Sequence, residues 1–177
     1  MLRIAINGYG RIGRSVLRAL YESGARDWAQ VVAINEPAES KTIAHLTRYD
    51  STHGRFPGTV ELDGQTLIVN DDAIQVINHK DLRKLPWQKL KVDVVLECSG
   101  SFSDRGTAQQ HITSGAKRVL FSQPAETSVD ATIVYGVNHQ TLDGLETIIS
   151  NASCTTNCVV PVIKVLNDYF GVDGGVI

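Results

Sequence analysis

The stretch Leu2-Arg3-Ile4-Ala5-Ile6-Asn7-Gly8-Tyr9-Gly10-Arg11-Ile12-Gly13 decides the fold. Residues 2–7 are an apolar run of strand length that stops at Gly8. Beyond Gly13, Val16, Leu17, Leu20 and Tyr21 recur at spacings of three and four and Gly24 closes the segment, which predicts an amphipathic helix. Val31 to Asn35 reads as a second buried strand, ended by Glu36 and Pro37. Strand, glycine turn, helix and strand form a βαβ unit with a parallel sheet.

Gly8-Tyr9-Gly10-Arg11-Ile12-Gly13 fits G-x-G-x-x-G, and its place between a strand and a helix gives the pattern a dinucleotide-binding meaning. Gly8 allows the tight turn, Gly10 lets a pyrophosphate approach the backbone, and Gly13 allows close helix-to-sheet packing. The N–H groups of Arg11 and Ile12 face the anion with the helix dipole behind them. Asn35 and Glu36 end the next strand, and the Glu36 carboxylate suits the adenosine ribose hydroxyls while repelling a 2′-phosphate; NAD is expected over NADP. The spacing from Gly10 to Glu36 exceeds the usual figure of about 20 residues, which an extended Arg26 to Gln30 connection accounts for. A glycine-rich turn without a ligand is the plain alternative.

Further along, a helix is predicted from Thr42 to Tyr49, and Asp63-Gly64 and Asn70-Asp71-Asp72 mark hairpins between Thr59 and Ile77. This antiparallel excursion interrupts the parallel unit. Strands follow at Asp93 to Cys98, Arg118 to Ser122, Ala131 to Val137 and Thr147 to Ile149, with helices at Thr107 to Ser114 and Thr155 to Tyr169. The expected fold is a doubly wound, Rossmann-type α/β domain with a mostly parallel sheet.

Composition fits this reading. The chain has 177 residues, 42% hydrophobic and 20% charged, which excludes a disordered, collagenous or membrane-spanning protein. A net charge of -2 gives no footprint for nucleic acid or an anionic membrane. Three cysteines and a start at Met1-Leu2-Arg3 without signal-peptide character point to reduced thiols and a cytoplasmic location.

A second constellation is Ser150-Asn151-Ala152-Ser153-Cys154-Thr155-Thr156-Asn157-Cys158. A strand ends at Ser150 and a helix begins near Cys154, where unpaired N–H groups and the helix dipole suit a thiolate nucleophile. Ser153 and Thr155 add hydroxyls for a substrate phosphate or hydroxyl. A buried helix-start cysteine is the alternative. Cys154 and Cys158 share a helix face, which permits a metal or a disulfide, but the zinc ligand set is incomplete and no metal is expected. Cys158 is expected to pack one turn below the reactive site. Cys98 reads as core, with Ser99 and Gly100 at a strand's carboxyl end where ligands of such sheets bind. His45, His53, His79, His111 and His139 all read as surface residues, which leaves the thiol without an evident base.

Asn7 to Arg14, Tyr49 to Phe56, Gly136-Val137-Asn138 and Ser150 to Cys158 together resemble the glyceraldehyde-3-phosphate dehydrogenase family, from residue 3 to the end. Ala19 to Gly24, Ala44-His45-Leu46, Leu85-Pro86-Trp87, Val134 to Asn138 and Glu36 resemble its D-erythrose-4-phosphate branch. The resemblance implies that Arg11 and Ile12 contact the NAD pyrophosphate, that Glu36 holds the ribose, and that Ser122 lies near the nicotinamide. It makes Cys154 the catalytic nucleophile, with Ser153 and Thr155 binding substrate. Lys80 falls where the branch commonly has Arg, and it keeps the charge without the planar fork.

The implied reaction oxidises a phosphorylated aldose through a Cys154 thioester. Water resolves the thioester in the erythrose branch, within pyridoxal phosphate biosynthesis, whereas phosphate does so in the glyceraldehyde branch. The resemblance also implies a homotetramer, a nucleotide domain over 1–153, and a catalytic domain that begins with the helix over 154–177. In the family the base histidine lies in that second domain, past Gly174-Gly175-Val176-Ile177. On this reading the 177 residues bind NAD but catalyse poorly. A non-catalytic NAD-binding module is the competing reading, and a helix-start thiol beside hydroxyls argues against it.

Overall fold

In the computed structural model, which describes residues 1–176, β1 (Leu2–Asn7) runs through the middle of a nine-stranded sheet. It is followed by α1 (Arg11–Glu22), β2 (Ala29–Asn35), α2 (Ser40–Arg48), β3 (Tyr49–Asp50) and β4 (Gly54–Arg55). Then come β5 (Val60–Asp63), β6 (Thr66–Val69), β7 (Asp72–Ile77), β8 (Val94–Glu97) and α3 (Arg105–Thr113). The chain continues through β9 (Arg118–Phe121), β10 (Ala131–Thr132), β11 (Ile148–Ser150) and α4 (Cys154–Phe170). Strand order is β10-β11-β9-β8-β1-β2-β7-β6-β5, and every neighbouring pair from β10 to β7 is parallel.

Apolar residues cover both faces of the sheet, as buried parallel strands require. Ile4 and Ile6 of β1 pack with Leu17 and Leu20 of α1 and Ile43 of α2 on one face. Ala5 packs with Val95, Phe121, Ala108 of α3 and Trp87 on the other. The doubly wound α/β expectation is met.

Two local expectations change. The hairpins do not interrupt the parallel unit: β7 adds to β2 in parallel, and β6 and β5 extend the same sheet edge antiparallel. The strand predicted over 131–137 ends at Thr132. There Asn138 folds back, its Oδ1 accepting the Val134 N–H at 2.7 Å and its Nδ2 donating to the Thr132 carbonyl, around Gly136 at φ +85°. A side chain that mimics a backbone turn has taken over the bonds a strand needs. Among the described residues, no helix is long and apolar enough to cross a membrane.

Candidate functional site

β2 lies on one side of β1 and β8 on the other, so the strand order reverses between β1 and β8. Ligands of doubly wound sheets bind at that reversal, beyond the carboxyl ends of the strands. A cleft of about 420 Å³ opens there. It brings together Gly8, Gly10, Asn35, Glu36, Lys80 and Ser99 of the expected set, with Asn7, Pro37, His79, Cys98, Ser101 and Phe102. Arg11, Ile12 and Gly13 form the first turn of α1 at its rim. Gly100 and Ser122 do not line this cleft: Gly100 follows Ser99 at φ +70°, and Ser122 directly follows β9, where its Oγ donates to Gln123 Oε1.

Two glycines hold the turn in shape. A Cβ on Gly8, at φ +88°, would stand 2.4 Å from the Ser99 backbone, so the turns after β1 and β8 are in backbone contact. A Cβ on Gly13 would stand 2.4 Å from the Gly8 carbonyl oxygen and wedge α1 off the sheet. Around Gly10 nothing lies within 4 Å of that position, which leaves the approach to the backbone open. No side chain caps α1 and its first turn carries no acid, so its leading N–H groups remain for an anion.

Glu36 is tied to the same turn. Its Oε2 accepts the Tyr9 N–H at 2.7 Å and its Oε1 the Ala38 N–H at 3.4 Å. The carboxylate is therefore fixed at the cleft wall, with acceptor capacity left over.

The second corner is built at the end of β11. Ala152 adopts φ +56°, a conformation uncommon for a residue with a side chain. Asn157 Nδ2 pins this corner by donating to the Asn151 and Ser153 carbonyls, at 2.7 and 2.9 Å. Ser153 is the N-cap of α4: its Oγ accepts the Thr156 N–H at 2.9 Å. That commits the Ser153 hydroxyl to the cap, and the Thr155 side chain stands exposed beside it. Cys154 is the first residue of α4 and is exposed. The expected packing of Cys158 is corrected: it too is exposed, because no residue of α4 is buried. β11 lies three strands from β1, and at about 4.8 Å per strand the thiol corner stands roughly 14 Å along the same carboxyl edge from the glycine turn.

Cys98 behaves as its strand-end position predicts. Burial pushes its thiol up to about 11, against a downward pull from Ser122. The thiolate is the alkylated species, so iodoacetamide at neutral pH should modify Cys154 and Cys158 and spare Cys98. Peptide mass mapping checks this, and equal modification of Cys98 and Cys154 would refute the assignment.

The surface reading of the histidines fails at His111, which is fully buried against Glu97 and Trp87. Together with Asn7, these residues were missed as site components. The available signal was Glu97 itself, a carboxylate closing the apolar run Val94-Val95-Leu96, and His111 sharing a helix face with the buried Thr107 and Ala108.

Residues 2–105 match the family profile described as glyceraldehyde 3-phosphate dehydrogenase, NAD binding domain, over more than half of the chain. The chain belongs to the glyceraldehyde-3-phosphate dehydrogenase family. Residues 153–177 match the C-terminal domain of the same family. The cofactor of this family domain is NAD, and the chain carries the nucleotide domain of an NAD-dependent oxidoreductase.

The residues present fit that cofactor. The open approach at Gly10 and the uncapped first turn of α1 suit a pyrophosphate. The fixed Glu36 carboxylate suits ribose hydroxyls and opposes a 2′-phosphate. Glu36→Ala should weaken NAD binding about tenfold and bring NAD and NADP to within about threefold of each other, because a charge-assisted contact and a repulsion vanish together. Fluorescence titration with both nucleotides checks this; unchanged discrimination would remove Glu36 from the role.

Proposed function

We propose that this protein oxidises D-erythrose 4-phosphate to 4-phosphoerythronate, with Cys154 carrying the acyl group as a thioester. The observation that carries the reading is the exposed Cys154 at the start of α4, on the same carboxyl edge of the sheet as the NAD cleft. The substrate assignment is supported by the branch-like segments Ala19 to Gly24, Ala44 to Leu46, Leu85 to Trp87 and Val134 to Asn138, and by Glu36.

Each group has a task. Gly8, Gly10, Arg11, Ile12 and Gly13 seat the pyrophosphate, Asn35 and Glu36 hold the adenosine ribose, Lys80 and Ser99 flank the cofactor inside the cleft, and Gly100 and Ser122 stand outside it, Ser122 toward the nicotinamide end. The Cys154 sulfur bonds to the aldehyde carbon, and the carbonyl becomes an alkoxide facing the Cys154 N–H. Bound NAD supplies the acceptor for the hydride that leaves this carbon. The sulfur then keeps the acyl group, with Thr155 and Ser153 beside the substrate, until water adds to the thioester and restores the thiol. The nucleotide domain spans 1–153 and the catalytic domain begins at Cys154. The enzyme acts in the cytoplasm as a homotetramer.

The test is an assay of the enzyme isolated at its natural length from its own cells, on erythrose 4-phosphate and glyceraldehyde 3-phosphate, with and without inorganic phosphate. NADH formation should be faster with the tetrose and independent of phosphate. Faster, phosphate-dependent turnover of the triose would overturn the substrate assignment.

A further inference from the structure

Three hydrogen-bond donors converge on one fully buried carboxylate at the base of the cleft. Glu97 Oε2 accepts from Asn7 Nδ2 at 2.6 Å and lies 3.1 Å from His111 Nε2, and Oε1 accepts the Ser99 N–H at 2.9 Å. Trp87 Nε1–H donates to His111 Nδ1 at 3.0 Å, which makes Nδ1 an acceptor and leaves Nε2 to carry the proton toward Glu97. On the other side, Asn7 Oδ1 accepts from Asn35 Nδ2 at 2.7 Å, and Asn35 exchanges two bonds with the His79 backbone, each 3.0 Å. Side chains thus lace the carboxyl ends of β8, β1 and β2 to the segment after β7.

We infer that Glu97 is a positioning residue for the nucleotide, setting the separation between the glycine turn and the turn at Ser99. The inference rests on reading the cleft as the NAD site. Glu97 does not line the cleft; it acts through Asn7 and Ser99, which do. Every group aimed at it is a donor, so the position calls for an acceptor with two oxygens. A glutamine has one. Whichever way it turns, its amide NH₂ faces either the Ser99 N–H or the Asn7 and His111 donors, and a buried donor goes unpaired. Because Gly8 and Ser99 touch backbone to backbone, a loosened Ser99 turn moves the glycine turn as well.

The test compares wild type with Glu97→Gln by NAD titration and by amide hydrogen exchange. NAD binding should weaken about tenfold or more, and exchange should accelerate at residues 8–10 and 99–102 while the hairpins over 60–77 stay unchanged. Affinity within about twofold of wild type would overturn the inference. Equal acceleration across the hairpins would overturn it too, since Glu97 would then serve stability alone. Should Glu97→Gln not fold, Trp87→Phe decides: it keeps an aromatic ring and removes the donor to His111 together with part of the buried indole, and unchanged exchange in the hairpins separates the lost bond from a general loosening of the core. About threefold weaker NAD binding with faster exchange at Ser99 is expected, and no change in either overturns the inference. If wild type does not bind NAD, the NAD reading itself falls, recognisably, before any variant is needed.

Discussion

Replacing Gly8 by alanine should abolish measurable NAD binding and destabilise the fold by about 3–5 kcal/mol. Two effects add. The backbone at φ +88° is strained for a residue with a side chain, which costs about 1–2 kcal/mol. The new Cβ also stands 2.4 Å from Ser99 N and Cα, and neither atom belongs to a flexible side chain that can turn away. The strands must separate at the place where the nucleotide binds. Gly24→Ala separates the two contributions: Gly24 has φ +75° but no atom within 4 Å of a Cβ, so it carries the conformational cost alone. Urea unfolding of both variants gives the steric part as their difference. If Gly8→Ala lies within about 1 kcal/mol of Gly24→Ala and still binds NAD, the close approach of the two turns is not what shapes the cleft.

Replacing Cys154 by alanine should lower kcat of the isolated enzyme at least about a thousandfold while leaving NAD affinity unchanged. Cys154 follows a strained corner at Ala152 and begins α4, so its sulfur is exposed at a helix N-terminus rather than packed. Cys158, one turn on and also exposed, lacks the adjoining free N–H groups, and Cys158→Ala should change kcat by less than about twofold. A comparable loss from the two substitutions would mean that the helix face matters and not the corner.

How much of this was legible beforehand depends on the kind of interaction. The β1 to β2 unit was readable because periodicity, three glycines and the acid at Glu36 each follow from local chemistry. The start of α4 near Cys154 was readable from the strand that ends at Ser150, whereas the capping role of Ser153, whose hydroxyl reads as a substrate contact in the sequence, shows only once the helix is in place. The buried lacing of Asn7, Glu97 and His111 was not, since its partners are 90 and 14 positions apart and depend on β8 pairing with β1. His111 in particular reads as polar surface until α3 is seated on the sheet. The β10 boundary failed for the opposite reason: Val134 looks like strand, and a single side chain at Asn138 diverts it.

On the proposed function, the cleft and the Cys154 corner serve one reaction. Mass analysis of acid-quenched enzyme, isolated at its natural length and mixed briefly with NAD and erythrose 4-phosphate, tests it most directly. A four-carbon phosphorylated acyl group is expected on the peptide holding Cys154, formed only when NAD is present. NADH formation with no adduct on that peptide in Cys154 enzyme, or undiminished turnover in Cys154→Ala, would contradict it.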